Sequence, residues 1–226
     1  MTQLDERLRD HFSDHSRVIL SPYWKSGFRQ RVKRLIDMIG AALLLLLLSP
    51  LFLVLAVVVK LSSPGRVFYP WKVVGRGGRP FLSYKFRSMV ANADDLKAKL
   101  EAFNEMSGPV FKISADPRVT SAGKWMRRYS LDELPQLYSV LCGDMSLVGP
   151  RPPLVSEYER FTGFQRQKLS VTPGITGLWQ VEGRNRIQNF DDWVRLDLDY
   201  IRSWSLWLDT RILLRTVAAV LSGSGQ

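Results

Sequence analysis

A long apolar run is the clearest pattern in the chain. Residues 38–59 read MIGAALLLLLLSPLFLVLAVVV and contain no charged residue. A run of that length predicts a segment embedded in a membrane. A helix packed against the core of a small soluble protein usually keeps one polar face, and this run has none. A cleaved secretory signal is also disfavoured, because the run starts far into the chain and no small-residue cleavage site follows it.

The middle of this run carries a helix breaker, Ser49-Pro50. Proline lacks a backbone N–H and clashes with the preceding turn, so it kinks or breaks a helix. Two arrangements stay open on this evidence. The segment is either a kinked helix that crosses the bilayer, or two half-helices that enter one leaflet and return to the same side.

The charges on either side of the run favour the second arrangement. Lys33 and Arg34 precede it, and Lys60 and Arg66 follow it. The positive-inside rule assigns basic flanks to the cytoplasm, whereas a spanning helix would leave one of them outside. Basic flanks also bind anionic lipid headgroups. We therefore expect a polar and basic segment over 1–30, followed by a re-entrant membrane helix over 31–61 that is broken at Ser49-Pro50.

The rest of the chain, residues 62–226, has the pattern of a small cytosolic domain of the α+β class that is mainly helical. Its last two helices contain Trp193, Trp204 and Trp207, which are either core aromatics or residues of interfacial amphipathic helices. Glycine and proline concentrate in two loops, at 143–153 and 173–183. The alternation and periodicity predict strands at 67–69 and 80–84 and helices at 91–106, 119–129, 191–204 and 206–221, with further helical spacing at Leu134, Leu137, Tyr138 and Leu141.

Composition narrows the chemistry. The chain has 32 Lys plus Arg and 21 Asp plus Glu, which gives a net charge of +11 and suggests an anionic partner. One cysteine and two histidines exclude a disulfide framework and a Cys-type zinc site, and leave little room for a histidine base. The charge alone is compatible with nucleic-acid binding, but no recognisable binding motif accompanies it, so we expect no nucleic-acid partner.

Carboxylates are therefore the candidate catalytic groups, and Asp132-Glu133 is the pair we single out. Two structural interpretations are open: a capping box that starts at Ser130, or Asp132 as a helix N-cap with Pro135 in the first turn. A catalytic interpretation uses the same position. An ionised aspartate can attack a phosphoryl group, and Glu133 beside it adds a second oxygen ligand for Mg²⁺ shared with substrate phosphates.

Basic residues in predicted loops and turns are candidate phosphate ligands. Lys85 and Arg87 follow a predicted strand, Arg118 lies in a turn, and Arg151 is held between Pro150 and Pro152. Arginine suits bidentate phosphate binding, and flanking prolines make a stiff mount for its guanidinium group.

Four segments together resemble the bacterial sugar transferase family, the monotopic polyprenyl-phosphate phosphoglycosyl transferases. They are KFRSM (85–89), DPRVTSAGKWMRRYSLDELPQL (116–137), GDMSLVGPRP (143–152) and PGITGLWQVEGR (173–184). The pattern of Lys33, Arg34, Asp37, Ser49 and Pro50 also resembles the family's membrane entry. The likeness runs from about residue 30 onward and is to a small catalytic form without additional transmembrane helices.

This resemblance implies an activity. Family members transfer a sugar 1-phosphate from a UDP-sugar to a polyprenyl phosphate, usually undecaprenyl phosphate, and release UMP. The reaction primes exopolysaccharide, capsule or O-antigen synthesis at the cytosolic face of the bacterial inner membrane. The segment 103–112 resembles the hexose-1-phosphate branch. The membrane lipids are a further implied partner, and the exposed amphipathic surfaces could serve a homodimer as well as a bilayer.

The resemblance also implies residue roles. Asp132 corresponds to the nucleophile that forms a covalent phospho-sugar intermediate, and Glu133 to its partner in Mg²⁺ binding or positioning. Ser49-Pro50 corresponds to the break of a re-entrant helix. The phosphate or nucleotide contacts correspond to Lys85, Arg87, Arg118, Arg127 and Arg151.

The sequence leaves two rival functions open. A direct glycosyltransferase would release UDP, and its Asp-x-Asp metal motif occurs only at Asp197-Leu198-Asp199, in a predicted helix. A non-enzymatic scaffold of a polysaccharide export complex would explain the membrane segment and its basic flanks. It would not explain a carboxylate pair beside stiff arginine loops.

Overall fold

The chain folds into a mainly helical structure with short sheets, which confirms the predicted α+β class. The computed structural model describes Leu20, Ser21, Trp24 and residues 26–182 and 187–223. Most of the predicted 1–30 segment lies outside these residues, as does Arg184 at the end of the last motif. The helices are α1 (Gly27–Leu47), α2 (Ser49–Ser62), α3 (Ala93–Lys97), α4 (Ser121–Arg128), α5 (Gln136–Cys142), α6 (Val155–Tyr158), α7 (Gly163–Arg166), α8 (Leu178–Glu182), α9 (Phe190–Ser203) and α10 (Leu206–Leu221). The strands are β1 (Phe68–Val74), β2 (Pro80–Phe86), β3 (Ser146–Val148) and β4 (Gly174–Thr176), and 3₁₀ turns cover Arg76–Gly78, Ala98–Phe103, Leu131–Glu133 and Gln167–Ser170.

The apolar run forms the bent pair α1–α2, with the break where the sequence predicts it. Leu48 separates the two helices, and Pro50 lies in the first turn of α2, where its missing N–H costs no helical hydrogen bond. The Ser49 hydroxyl donates to the carbonyl of Leu46 at 2.8 Å. The helix axes differ by 63°. Within the described residues, no single helix is both long and apolar enough to cross a bilayer. The bent pair meets that test only jointly, by length and composition.

A buried polar cluster fastens α1 to the rest of the molecule. We call Lys33, Asp37, Ser146, Tyr200 and Asp209 the docking cluster. The Lys33 ammonium lies 2.6 Å from Asp209 Oδ2, and Asp209 also accepts from the Tyr200 hydroxyl at 2.8 Å. Asp37 accepts from the Ser146 hydroxyl at 2.7 Å. The cluster therefore joins α1 to β3, α9 and α10.

Arg87 binds the end of α2. The sequence predicts a phosphate contact at this residue. Its guanidinium group instead donates to the carbonyls of Ser63 at 2.7 Å and Val59 at 3.3 Å, and to that of Pro64. The last carbonyls of a helix lack partners within the helix, so a buried cation at that end satisfies them. Arg87 is 8% exposed and is not among the residues that line the pocket described below.

Two small sheets carry the loops of the site. β1 and β2 form an antiparallel hairpin in which Trp71 pairs with Ser83. β3 and β4 pair in parallel, within segments whose glycine and proline content predicts loops. A Cβ atom at Gly174 would lie 2.0 Å from the backbone nitrogen of Gly149, so only glycine permits this approach. The pairing fixes the start of the loop that carries Arg151.

The predicted helix over 91–106 is only partly correct. Its first residues form α3, and the chain then tightens into the 3₁₀ turn that ends at Phe103. The Asn104 side chain accepts from the backbone N–H of Met106 and Lys112 and donates to the Val110 carbonyl. These side-chain bonds to the backbone offer an alternative to further helical turns. The result is a closed loop over 104–112.

The core settles the alternatives left open for two of the three tryptophans. Trp193 and Trp204 are buried in the main hydrophobic core, whereas Trp207 is 65% exposed at the start of α10.

Lys168 and Asp197 form an ion pair of 2.7 Å inside this core, with side-chain exposures of only 2% and 1%.

Candidate active site

A pocket of about 780 Å³ opens on one side of the fold. Its wall is built by the β1–β2 hairpin, the loop that follows the 3₁₀ turn at Ala98–Phe103, α4, and the 3₁₀ turn at Leu131–Glu133. The loop after β3 and the ends of α8 and α9 complete it. Among the predicted site residues, it brings together Lys85, Arg118, Arg127, Asp132, Glu133 and Arg151.

The carboxylate pair lies in a tight reversal between α4 and α5. Ser130 has φ 53°, and it is the only residue other than glycine with a positive φ in the part of the chain described. That left-handed residue lets the chain turn directly into the 3₁₀ segment that carries Asp132 and Glu133. Both side chains are largely buried, and both line the pocket.

The two capping interpretations of this segment are wrong. α5 begins at Gln136, and its N-cap position is occupied by Pro135 with no side-chain capping bond. Asp132 therefore lies outside the helix, in the preceding 3₁₀ turn. Ser130 precedes that 3₁₀ turn and makes no side-chain capping bond either. The pair is thus held in the pocket without serving as a helix cap.

Glu133 holds two cations. Its Oε1 atom lies 2.7 Å from the Lys85 ammonium and 3.2 Å from Nη1 of Arg151. Burial lowers the pKa of Lys85, and the nearby Arg151 acts in the same direction. The charges of Glu133 and Asp132 oppose that shift and favour the ammonium form. Two carboxylates and two cations therefore form one compact electrostatic unit at the pocket wall.

Arg118 and Arg127, the other two predicted phosphate ligands in the pocket, are held from outside the carboxylate pair. Arg127 extends from α4, and its Nε atom donates to the Ser88 hydroxyl at 2.9 Å. Arg118 is bound by Asp116, with Nη2 at 2.6 Å from Oδ2, and it donates to the Ala93 carbonyl at 3.1 Å. Arg118 thus has a protein carboxylate as its counter-ion, whereas Arg127 is anchored by a neutral hydroxyl.

The carboxylates suit a divalent cation only when a substrate supplies further oxygens. Within the described residues, no group of three or more His, Cys, Asp or Glu side chains is placed to hold a metal ion. Mg²⁺ is commonly bound by one or two carboxylates together with substrate phosphates and water. Asp132 and Glu133 fit that donor set.

The rival Asp-x-Asp motif does not form such a set. Asp197 is 1% exposed and pairs with Lys168 in the core. Asp199, two residues further along α9, has a side chain that is 59% exposed and lies 3.6 Å from Arg202. One carboxylate is buried and the other faces solvent, so the two cannot share a cation.

Sequence reasoning missed several pocket residues, chiefly Trp71, Glu157 and Lys168. Trp71 falls outside the predicted strand at 67–69, which in the structure continues to Val74. Lysine is usually a surface residue, so the local sequence does not predict that Lys168 is buried. Its burial depends on the ion pair with Asp197, which is distant in the chain. The one sequence signal that could have identified Trp71 is its position two residues after Tyr69, in a segment of alternating polarity.

Comparison with known proteins adds a family to this geometry. The family model described as "Bacterial sugar transferase" matches residues 28–223, nearly the whole chain. The chain belongs to this bacterial sugar transferase family. The family resemblance inferred from the motifs is thereby confirmed.

Individual relatives agree with the family. The "Galactosyl transferase CpsE" of Streptococcus agalactiae is 48% identical over 193 residues, which are 85% of this chain and 43% of the relative. The "Undecaprenyl-phosphate galactose phosphotransferase" of Salmonella typhimurium is 42% identical over 198 residues, 86% of this chain and 41% of the relative. The "Exopolysaccharide production protein ExoY" of Rhizobium meliloti is 40% identical, with 86% of this chain and 87% of the relative covered. The chain thus spans about two fifths of the length of the first two relatives and most of the third.

Proposed function

We propose that this bacterial sugar transferase moves a hexose 1-phosphate from a UDP-hexose to undecaprenyl phosphate and releases UMP. The observation that carries the proposal is the Asp132–Glu133 pair, which lines one pocket with Lys85, Arg127 and Arg151. The names of two relatives refer to galactose transfer, and one of them to undecaprenyl phosphate. A third is named for exopolysaccharide production, the process that this reaction would prime.

In the first step, the Asp132 carboxylate attacks the phosphorus that bears the sugar. The bond from that phosphorus to the oxygen bridging the two phosphates breaks, and UMP leaves with the bridging oxygen. The product on the protein is an aspartyl phospho-sugar. Lys85, Arg127 and Arg151 bind the diphosphate oxygens and offset the charge that develops on the leaving group.

In the second step, a phosphate oxygen of undecaprenyl phosphate attacks the same phosphorus. The acyl–phosphate bond breaks, Asp132 regains its carboxylate, and a polyprenyl diphosphate sugar is released. One carboxylate thus serves a soluble donor and a lipid acceptor in turn. Glu133 keeps Lys85 and Arg151 at the pocket wall through both steps.

Mg²⁺ is the cofactor we propose for this site, with Asp132 and Glu133 as its protein ligands. When bound, it would supply positive charge to the phosphate oxygens. The chain's own contribution is the pair of carboxylates and the cations that orient the substrate beside them.

We also propose that α1–α2 is a re-entrant anchor at the cytosolic face of the bacterial inner membrane. Exposed basic residues at both ends of the pair, such as Arg31 and Lys60, support this placement. So does the bend of 63° at Leu48, together with the exposure of apolar side chains such as Leu47 and Leu53. Insertion into the hydrocarbon layer of the membrane would remove that apolar surface from water.

Nucleotide release tests the reaction. Purified protein in nanodiscs receives Mg²⁺, undecaprenyl phosphate and, separately, UDP-galactose, UDP-glucose or UDP-N-acetylgalactosamine. We expect UMP with one hexose donor, no detectable UMP from Asp132→Asn, and unchanged release from Asp95→Asn, which alters an exposed carboxylate on α3.

Other products would lead elsewhere. Release of UDP would mean direct glycosyl transfer. No nucleotide with any donor, from protein whose melting curve shows it to be folded, would favour the scaffold. A sugar-phosphate label that stays on the protein without acceptor, and is absent from Asp132→Asn, would identify the covalent intermediate.

A further inference from the structure

Both cations on Glu133 also face one aromatic ring. The Lys85 ammonium lies 3.9 Å from the centre of the Trp71 ring, and the guanidinium carbon of Arg151 lies 5.3 Å from it. Trp71 lines the pocket but is only 8% exposed. One indole and one carboxylate oxygen are therefore shared by the same two cations.

The strand register explains how Lys85 reaches the ring. Trp71 pairs with Ser83 across the hairpin, so Lys85, two residues further along β2, is its diagonal neighbour on the same face. Diagonal neighbours lie close enough for long and aromatic side chains to touch.

A separate backbone contact brings Arg151 to the same ring. The N–H of Val74 donates to the Pro153 carbonyl at 2.9 Å, and Val73 bridges to Leu154. The loop that carries Arg151 is thus paired with the strand that carries Trp71. The meeting of ring and cations is a result of the backbone pairing.

Lys85 and Arg151 carry like charges, so an additional attraction is needed to keep them close together. The Lys85 and Arg151 side chains are 14% and 28% exposed, and both reach the same Glu133 oxygen, so they repel each other in partly dry surroundings. The face of an indole ring is negative and attracts cations, most strongly when they are desolvated. The ring therefore adds to the attraction of Glu133 Oε1, which both cations already share.

We propose that Trp71 is a positioning residue, whose π face holds Lys85 and Arg151 at the spacing that grips the donor's diphosphate. The proposal rests on the proposed function and deepens it. Loss of the π attraction lets the two cations separate, so the charge they offer to the leaving UMP falls. The effect is then on kcat, with the KM for the UDP-sugar changing less.

A large buried aromatic can also act only by filling space, so the test must change its charge distribution and keep its shape. Site-specific incorporation of tryptophan carrying one to four ring fluorines at position 71 does this, because fluorine weakens the negative face with little change in size. We expect kcat for UMP release to fall stepwise with each fluorine. For the most fluorinated ring, the loss should reach about 30-fold, as expected for a desolvated cation–π contact.

The side-chain series supplies a second measurement. Trp71→Phe and Trp71→Tyr should retain more activity than Trp71→Leu, because they keep a π face. The same fluorinated residues at Trp125, which is 46% exposed on α4, should leave kcat unchanged.

The outcomes separate the two proposals. Unmodified protein that releases no UMP would refute the proposed function. Unmodified protein that is active, with kcat flat across the fluorinated series, would refute the role of Trp71 and leave the reaction intact.

Discussion

Glu133 is the shared counter-ion of two cations in the pocket. Its Oε1 atom holds Lys85 and Arg151 at once. Removing one partner of such an arrangement leaves like charges together without their counter-ion. The contribution of Glu133 is therefore the arrangement of the cations as well as any contact with a metal ion.

Glu133→Gln tests this role. The amide keeps the shape of the carboxylate but loses its charge, so Lys85 and Arg151 should separate and turnover should fall by about 100-fold, which corresponds to a loss near 3 kcal/mol. UMP release measures the turnover, and the melting temperature measures the effect on stability. Glu159→Gln, at an exposed position, is the matched control. Wild-type turnover in Glu133→Gln would show that the cations do not need this charge.

At this scale the sequence predicted residue identities better than partners. Asp132, Glu133, Lys85 and Arg151 were all recognisable from local motifs, and the structure brings them to one pocket. Arg87 lies in an equally recognisable motif, but its guanidinium group binds the end of α2. Local sequence does not show which of two basic residues has a helix end within reach, because that helix end is distant in the chain.

At the scale of elements, buried polar contacts fasten α1 to the remainder of the fold. Asp209 is the centre of the docking cluster, since it binds Lys33 at 2.6 Å, the Tyr200 hydroxyl at 2.8 Å and the Trp204 indole N–H at 3.1 Å. Substituting it would remove the counter-ion of Lys33 and an acceptor of the Tyr200 hydroxyl, which both keep the Val148 carbonyl within hydrogen-bond distance, and it would remove the acceptor of the Trp204 indole N–H. The attachment of α1 to α9 and α10 should therefore depend on this one carboxylate.

Asp209→Ala should lower the free energy of unfolding by about 3–5 kcal/mol, the usual cost of breaking a buried ion pair. Asp199→Ala is the matched comparison, because that aspartate forms a 3.6 Å pair with Arg202 at the surface. An exposed pair contributes about 0–1 kcal/mol. Thermal unfolding in the same detergent measures both. Equal melting temperatures for the two variants would show that the docking cluster does not stabilise the fold.

Elements were predictable where periodicity is local. The helices at 119–129, 191–204 and 206–221 correspond to α4, α9 and α10 within a few residues. The β3–β4 pair was not predictable, because each strand has only three residues and its partner is remote. The helix at 91–106 was overextended, since Asn104 bonds to the backbone of its own loop. Helical composition does not show that competition.

For the molecule as a whole, the main prediction is that both ends of the α1–α2 pair lie on the cytosolic side of the membrane. Gly27 and Leu61 lie at the two ends of the pair, and both can accept a cysteine: a Cβ at Gly27 meets nothing within 4 Å, and Leu61 is 82% exposed. Exposed Cys142 is first replaced by serine. In intact cells, neither Gly27→Cys nor Leu61→Cys should react with a membrane-impermeant maleimide.

Permeabilised cells are the control, and both cysteines should then react. A kinked spanning helix would expose one of the two positions to the external reagent and protect the other. Labelling of either cysteine in intact cells would therefore exclude the re-entrant topology.

The docking cluster also has a consequence for the route of the lipid. Because α1 is bound to β3, α9 and α10, we expect the Asp132–Glu133 pair to keep a constant height relative to α1. An anchor in one leaflet takes its depth from the headgroup layer on its own side. Under the proposed topology, the opposite leaflet has no influence on that height. Turnover should then be indifferent to total bilayer thickness and sensitive to the packing of the near headgroups, through which every acceptor phosphate must pass.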